Sequence, residues 1–422
     1  MSLELVMSRP SMIPVRHGPS VHAGTRGVAL LVASIAALCA LLVVLVPREA
    51  AAHPFMIRHG YSACGMCHLD PSGGTALTEY GRAQSDLLLR SQWVKKGEGE
   101  EASSSANFLF GAVKTPEWLF AGGSVRLMEL YTKVQDQAST TRFIPMQSDL
   151  RLGIQAKRIR GYLSFGYQQK QGRAAAITTK TENNLVSREH WLGIDFDDGA
   201  MLLRGGRIDL PFGIRTVEHN LWVRSATRTD INDQQQHGVS FLYQSDKLRG
   251  ELMAILGNYQ LGPDAYRERG YSGYLEYAPI PEAAFGLSSK FTSAKRDPIE
   301  RLTVARHAHG VFGRVVPAKP LVLMTELDLL LDAHPLDSAK VGMTGVLQAD
   351  LEAWQGLHLV ATGEFLRETR DTHPTSYGTW LSAWWFVLPH VDLRLDLMER
   401  WMATSTGRIP VTSLIGQVHL WL

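Results

Sequence analysis

After Pro116 the chain changes rhythm, and apolar and polar residues begin to alternate one by one. Over 391–398, Val391, Leu393, Leu395 and Leu397 alternate with Asp392, Arg394, Asp396 and Met398. Over 321–329, Glu326 and Asp328 stand opposite Leu323, Thr325, Leu327 and Leu329. Over 149–156, Asp149, Arg151 and Gln155 oppose Leu150, Leu152, Ile154 and Ala156. Successive side chains on a strand point to opposite faces, so each stretch predicts a strand with one charged and one aliphatic face. Candidate strands begin near residues 118, 143, 159, 187, 199, 237, 248, 269, 283, 301, 320, 340, 356, 377, 390 and 412.

The connections between these stretches alternate in length. Short ones fall at Lys157-Arg158, Asp197 to Gly199, Ser245 to Lys247, Pro279 to Pro281, Trp354 to Gly356 and Leu388 to His390. Longer ones fall at 133–142, 171–186, 208–236, 258–268, 294–300 and 367–376. A soluble sandwich or solenoid would keep its aliphatic face inside and would not alternate its turns. A membrane barrel turns aliphatics to lipid and polar residues to a wet lumen, with short periplasmic turns and long external loops. The pattern therefore predicts an all-β fold, an antiparallel transmembrane β-barrel of about 16 strands (14–18), spanning 116–422. Both ends of the barrel segment fall on the short-turn, periplasmic side. Trp421 is penultimate, where such barrels usually end on an aromatic residue.

The long stretch 208–236 contains Asp209, Arg215, Glu218, His219, Arg224, Arg228, Asp230 and Asp233. Folded inward, it would narrow the lumen and set charge selectivity. Left outside, it would be a surface loop, and the sequence favours neither. His307 and His309 share one face of a strand. Two His do not make a metal site, so they read as solvated or lumenal.

The chain before the barrel is organised differently. Arg16 and Arg26 precede an apolar run from Gly27 to Val46, followed by Pro47 and Ala50-Ala51-Ala52. This is the order of an export signal, which assigns 1–52 to a signal peptide cleaved after Ala52. A run of this length could also span a bilayer as a retained anchor. Residues 94–115 are charged and small, including Lys95-Lys96 and Ser103-Ser104-Ser105, and read as a flexible linker.

Between them, 53–93 carries Cys64-Gly65-Met66-Cys67-His68. A Cys-x-x-Cys-His run is the attachment signature of a c-type haem. Two thiols three positions apart add to the two vinyl groups of one porphyrin, and the adjacent His reaches the iron. Cys64 and Cys67 are thus candidate thioether anchors for one covalent haem c, with His68 as the iron ligand. A redox pair would want a βαβ frame, which is missing, and a tetrahedral zinc site would need four ligands. The sixth iron position stays open among His59, Met56, His53 and Tyr80, with His59 preferred and Met56 next. An open sixth position would point to ligand binding or peroxide chemistry. After the turn at Pro71-Ser72-Gly73-Gly74, Thr75 is placed to cap a helix running to about Trp93. Leu77, Tyr80, Gln84 and Leu88 form its stripe. Tyr80, Leu87 and Leu88 could cover the porphyrin or simply pack. Arg58 and Arg82 are candidates to pair with the haem propionates, because guanidinium suits bidentate carboxylate binding.

The run from His53 to His68, followed by Pro71, Gly73-Gly74 and Tyr80-Gly81-Arg82, resembles the short monohaem region at the head of some bacterial outer-membrane proteins. In those proteins a porin-like barrel follows. The resemblance is specific over about 40 residues and architectural beyond them. It implies an outer-membrane location with the haem segment in the periplasm, and a link to electron transfer. The partners it implies are periplasmic and extracellular cytochromes or redox mediators, besides the lipid bilayer.

Charge narrows the classes further. Lys and Arg number 43 against 41 acids, and the first 52 residues account for four Arg and two acids. The remainder is neutral, which gives no support for nucleic-acid binding. Cys39 lies in the export segment, and the only other Cys are the motif pair, so no thiol remains for a structural disulfide. No nucleophile elbow, phosphate loop or clustered dyad points to a hydrolase. Three functions remain in play. The first is electron transfer at or across the outer membrane. The second is a solute porin whose haem is structural or a redox sensor. The third is peroxide or ligand chemistry at an open haem. An electron-transfer or channel role fits better than an enzyme.

Overall fold

The computed structural model describes residues 54–74, 76–94, 113, 115–167, 185–297, 300–335, 338–369 and 374–421. The expected signal segment, His53, Thr75, most of the linker and residues 168–184, most of the 171–186 connection, lie outside the described residues.

The alternating stretches form strands, as their period demands. In chain order they are β1 (Leu119–Val134), β2 (Thr140–Ala156), β3 (Ile159–Tyr167), β4 (Leu185–Val186), β5 (His190–Phe196) and β6 (Met201–Ile208). Then come β7 (Gln236–Gln244), β8 (Leu248–Gly257), β9 (Arg269–Ile280), β10 (Ala283–Ala294), β11 (Val304–Ala318) and β12 (Leu321–Ala333). The last are β13 (Lys340–Trp354), β14 (Leu357–Arg367), β15 (Ser376–Leu388), β16 (Val391–Thr404) and β17 (Gly407–Trp421). All pair antiparallel with their neighbours, and β4 is a two-residue spur on Gly166 and Tyr167 of β3. The remaining sixteen strands close into a barrel. Closure is made by β1 against β17, from Ser124 opposite Trp421 to Val134 opposite Val411.

The polarity of the wall is inverted relative to a soluble protein. On β16, Asp392, Arg394, Asp396 and Met398 are buried, whereas Leu393, Leu395 and Leu397 are exposed outside. On β12, Glu326 and Asp328 face in while Leu327 and Leu329 face out. Aliphatics outside and charges inside is the reading of a lipid-facing barrel, not of a sandwich. Of the two alternatives for His307 and His309, solvated or lumenal, the second does not hold. They share the outward face of β11, opposite the buried Ala308, with His307 against the Phe291 ring at 4.7 Å. The alternation that buries Ala308 turns its neighbours out.

A sixteen-strand barrel is wide enough to leave a channel, but two segments fill this one. The first is 54–94. It enters the short-turn end through a 3₁₀ turn, Pro54–His59, and a second, Cys64–Met66, before helix α1 (Glu79–Leu88). The second is 209–235, between β6 and β7, which folds into the lumen and contains α2 (Trp222–Thr227). Its backbone is held from the wall. Gly213 N donates to Ser288 Oγ (2.8 Å), Ile214 N to Glu326 Oε2 (2.8 Å) and Trp222 N to Glu364 Oε2 (2.9 Å). The sequence left this loop undecided between lumen and surface, and the wall carboxylates explain why it turns inward.

The first segment is anchored by apolar packing and buried charge together. Phe55, Met56, Ile57 and Leu89 join one cluster with Val322, Met324, Trp384 and Phe386 of the wall. Leu69 and Ala76 join another with Tyr162, Leu202, Leu242 and Met253. Burying each large apolar side chain contributes about 1.5–3 kcal/mol. Arg58 pairs with Asp350 and Glu352, and Asp70 pairs with Arg204. Asp86 lies 2.8 Å from His390 Nε2 in the β15–β16 turn. These contacts seat the segment inside the barrel mouth.

Candidate functional site

The motif folds as one tight turn. Cys67 N and His68 N both donate to Cys64 O, at 3.1 and 3.0 Å. The chain then reverses at Pro71-Ser72-Gly73-Gly74, where Gly73 N reaches Asp70 O (2.8 Å). Ser72 N and Oγ donate to Asp70 Oδ1 at 2.8 and 2.5 Å. Burial pushes the Asp70 carboxyl up, but Arg204 and Arg215 outweigh it and hold the group below its ordinary value. After the reversal, His68 bridges back to Leu77. That bridge keeps Leu77 extended, so the helix starts later than expected. Thr78 is its cap, accepting from Gly81 N at 3.0 Å. The helix also stops sooner than Trp93, because the wall captures the residues after it. Ser91 Oγ donates to Phe386 O (3.1 Å) and accepts from Trp385 Nε1 (2.7 Å).

Cys64, Cys67 and His68 all line one cavity. Its walls are 54–89 on one side, 209–232 on another and the barrel interior around them. Both cysteines are free thiols, and burial pushes both up, Cys67 to about 11. Gly73 has φ +91°, and a Cβ there would lie 3.3 Å from Cys64 Sγ. That glycine is required by its backbone and leaves the space beside the thiol clear. The spacing of the two cysteines, the adjacent His68 and the mixed apolar and charged lining fit a covalently attached haem.

The other sequence candidates separate into two groups. Met56 lines the cavity, together with Pro54, Tyr61, Leu77 and Leu89. His59 does not. Burial and the neighbouring Arg58 hold its imidazole down at about 3, and His358 and Lys319 are its other charged neighbours. Arg58 does not line the cavity either. It donates to Phe55 O and Pro320 O (3.2 Å each) and pairs with Asp350 and Glu352. Arg82 is buried on α1 but away from the cavity. Tyr80 is exposed, its hydroxyl 2.7 Å from that of Tyr61. Leu87 is exposed and Leu88 packs on the first cluster, so Leu77 and Leu89 supply the apolar lining instead.

Residues that no local motif marks complete the site. Arg126 and Arg151 come from β1 and β2, Arg249 and Glu276 from β8 and β9, and Arg314 from β11. Arg249 Nε and Arg314 Nη2 donate to Glu276, at 3.0 and 2.8 Å. They also donate to Ser62 Oγ (3.0 Å) and Ser62 O (3.2 Å), two residues before Cys64. Arg215 of the lumenal loop donates to Ser72 Oγ (2.7 Å) and lies 3.5 Å from Glu251. Strand parity places the wall residues inside, but only the barrel's closure brings them to one height. Further along the loop, Glu218 pairs with Arg394 (2.9 Å), Arg224 with Glu326, and Arg228 with Asp297 (2.8 Å).

No family model and no curated protein matches this chain. Solved structures do. In-vitro folded OmpT of Vibrio cholerae, in its trimer form, superposes with a TM-score of 0.55 at 9% identity, covering 72% of this chain and 99% of that one. An anion-selective porin from Comamonas acidovorans gives 0.52 at 11% identity, covering 72% and 99%. The outer-membrane channel DcaP of Acinetobacter baumannii gives 0.50 at 10%, covering 74% and 99%. At these identities the likeness is one of fold. The chain has the closed sixteen-strand antiparallel barrel of porin-like outer-membrane proteins, preceded by a short helical segment.

Proposed function

We propose that this protein is an outer-membrane barrel carrying one covalent haem c at its periplasmic mouth, acting in electron transfer with partner cytochromes or redox mediators. The observation that carries the reading is the convergence of Cys64, Cys67 and His68 on one cavity inside the barrel. Cys64 and Cys67 would hold the porphyrin through thioethers, and His68 would bind the iron. A haem c so held supplies a one-electron couple. Met56 is the better candidate for the sixth position than His59, because Met56 lines the cavity and His59 does not. The lumenal loop covers the side away from the mouth and limits water there. A hydrocarbon core is about 30 Å thick, so partners or a diffusing mediator must complete any path across it.

A second reading, a solute porin with a structural or sensing haem, is favoured by the fold shared with an anion-selective porin. The test is the oxidised and reduced visible spectrum of protein purified from outer membranes, beside Cys64→Ala and Cys67→Ala. Low-spin covalent haem, lost in the variants, supports electron transfer. A high-spin spectrum that shifts with added ligands moves the reading to peroxide or ligand chemistry. Absence of covalent haem, with selective ion conductance, leaves the porin.

A further inference from the structure

The cavity that holds the motif is lined by six arginines, and four of them are already committed. Arg188 Nε donates to Asp149 Oδ2 (2.9 Å), and Arg249 and Arg314 share Glu276. Arg215 is held by Ser72 and Glu251. Arg126 and Arg151 are different. Among the described residues, neither side chain forms a hydrogen bond or an ion pair. The nearby carboxylates are engaged elsewhere. Asp392 accepts from Trp384 Nε1 (2.8 Å) and lies 2.9 Å from His419 Nδ1, and Asp149 Oδ2 is held by Arg188 and Gln147.

Both guanidinium groups are half-buried on the lumenal wall and neither touches a carboxylate of the described residues, so each is free to take one up. Their placement suggests which. Arg126 faces Gln147 across the β1–β2 ladder, and Arg151 follows Gln147 by four positions on the same lumenal face. Two cations spaced along one wall serve two carboxylates better than a single anion. Guanidinium is the side chain best shaped for carboxylate, which it can bind in bidentate fashion.

We propose that Arg126 and Arg151 bind the two propionates of the haem attached at Cys64 and Cys67. This rests on the haem reading above, and it moves the propionate role from Arg58 and Arg82 to the barrel wall. The segment 54–94 then supplies attachment and iron ligand, while the barrel supplies the counter-charge.

The test uses full-length protein from outer membranes, as Arg126→Gln, Arg151→Gln and the double variant, with Arg126→Lys and Arg151→Lys as charge-keeping partners. Covalent haem content and midpoint potential are measured for each. Removing a cation beside the propionates disfavours the more negative, reduced state. The Gln variants should keep their haem and lose about tenfold in electron affinity each, a fall of about 59 mV for a one-electron couple. The Lys variants should recover most of it, and Arg269→Gln, on the exposed long-loop side, should change nothing.

Unchanged potentials in haem-loaded Gln variants would overturn the proposal. So would loss of anion selectivity in planar bilayers on Arg126→Gln in the Cys64→Ala/Cys67→Ala protein, with no potential change in the loaded protein. That outcome would assign the pair to a permeating carboxylate. A parent protein without covalent haem would overturn the functional reading itself, before any arginine is changed.

Discussion

Two segments fill the lumen, and the wall holds them by means that overlap without being the same. The segment 54–94 sits at the short-turn end, where the inner wall offers Val322, Met324, Trp384 and Phe386 to its apolar side chains. The loop 209–235 also packs apolar side chains on the wall, Leu221 and Val223 with Trp380 and Met398 and Phe212 with Leu330, but wall carboxylates take up its backbone N–H groups and arginines besides. Both are seated by packing and buried charge, and the loop is tethered through its backbone as well. The interior of a barrel is therefore not uniformly wet. Its chemistry changes along the axis, and each segment settles where the wall matches it. The cavity lies where the two meet, and its lining is mixed, with Met56, Leu77 and Leu89 from the first segment, Ile214, Arg215 and Val217 from the loop and charged residues from the wall.

The contrast can be broken most severely at Arg204. Its side chain is fully buried and bridges Asp70 of the first segment to Glu251 of the wall. Arg204→Ala leaves both carboxylates buried without it, at a cost of about 3–5 kcal/mol. Residues 54–94 should become accessible to protease while the barrel keeps its heat-modifiable mobility on gels. Equal protection in parent and variant would remove this ion pair from the seat.

The loop can be released separately at Glu326. Glu326→Ala strips the acceptor from Ile214 N and the partner from Arg224, a loss of about 3 kcal/mol by the same reasoning. Amide hydrogen exchange should accelerate over 209–235 and stay slow over 54–94. Acceleration of both together would show that the two segments are one cooperative unit.

The outer face gives a smaller effect. Leu395 is exposed on β16 between the inward Arg394 and Asp396. Leu395→Arg should lower barrel stability by about 2–4 kcal/mol if it sits near the bilayer midplane. Refolding into vesicles measures this, and an unchanged stability there would argue against lipid on that face.

The smallest effect is a change of slope with pH. Burial and the neighbouring Asp233 push the Asp230 carboxyl up to about 7. An acid whose folded value is raised binds its proton more tightly when folded, so folding is favoured most below its unfolded value of about 3.9. The contribution is lost as pH rises from about 4 to about 7. Asp230→Asn keeps the acceptor for Asn232 N (2.9 Å) and should flatten the decline of loop protection across that range. A variant with the parent's slope would show that another group carries it.

Much of the barrel was legible in the sequence. The alternation on 391–398, 321–329 and 149–156 gave the right inward and outward faces, and the short turns fall close to where they were read. Strand ends were less exact. β17 starts at Gly407 rather than 412, because its first residues pair with β16 through Met402 opposite Ile409, outside any alternating run. Of the residues the sequence singled out, Cys64, Cys67, His68 and Met56 line the cavity. Arg58 reads identically whether it faces a porphyrin or Asp350, since that partner lies 292 residues away.

The sequence by itself determined the period of the strands and which face of each points outward. These depend on neighbours two or three positions apart, where backbone geometry is already settled. Only the tertiary structure decided that Met56 and not His59 lines the cavity, that the loop 209–235 turns inward, and that Arg126 and Arg151, unpaired among the described residues, line the same cavity as the motif. Those outcomes depend on the register of β1 against β17 and on how deep each segment sits. Closure sums small pairing choices around sixteen strands, and no stretch of chain carries that sum locally.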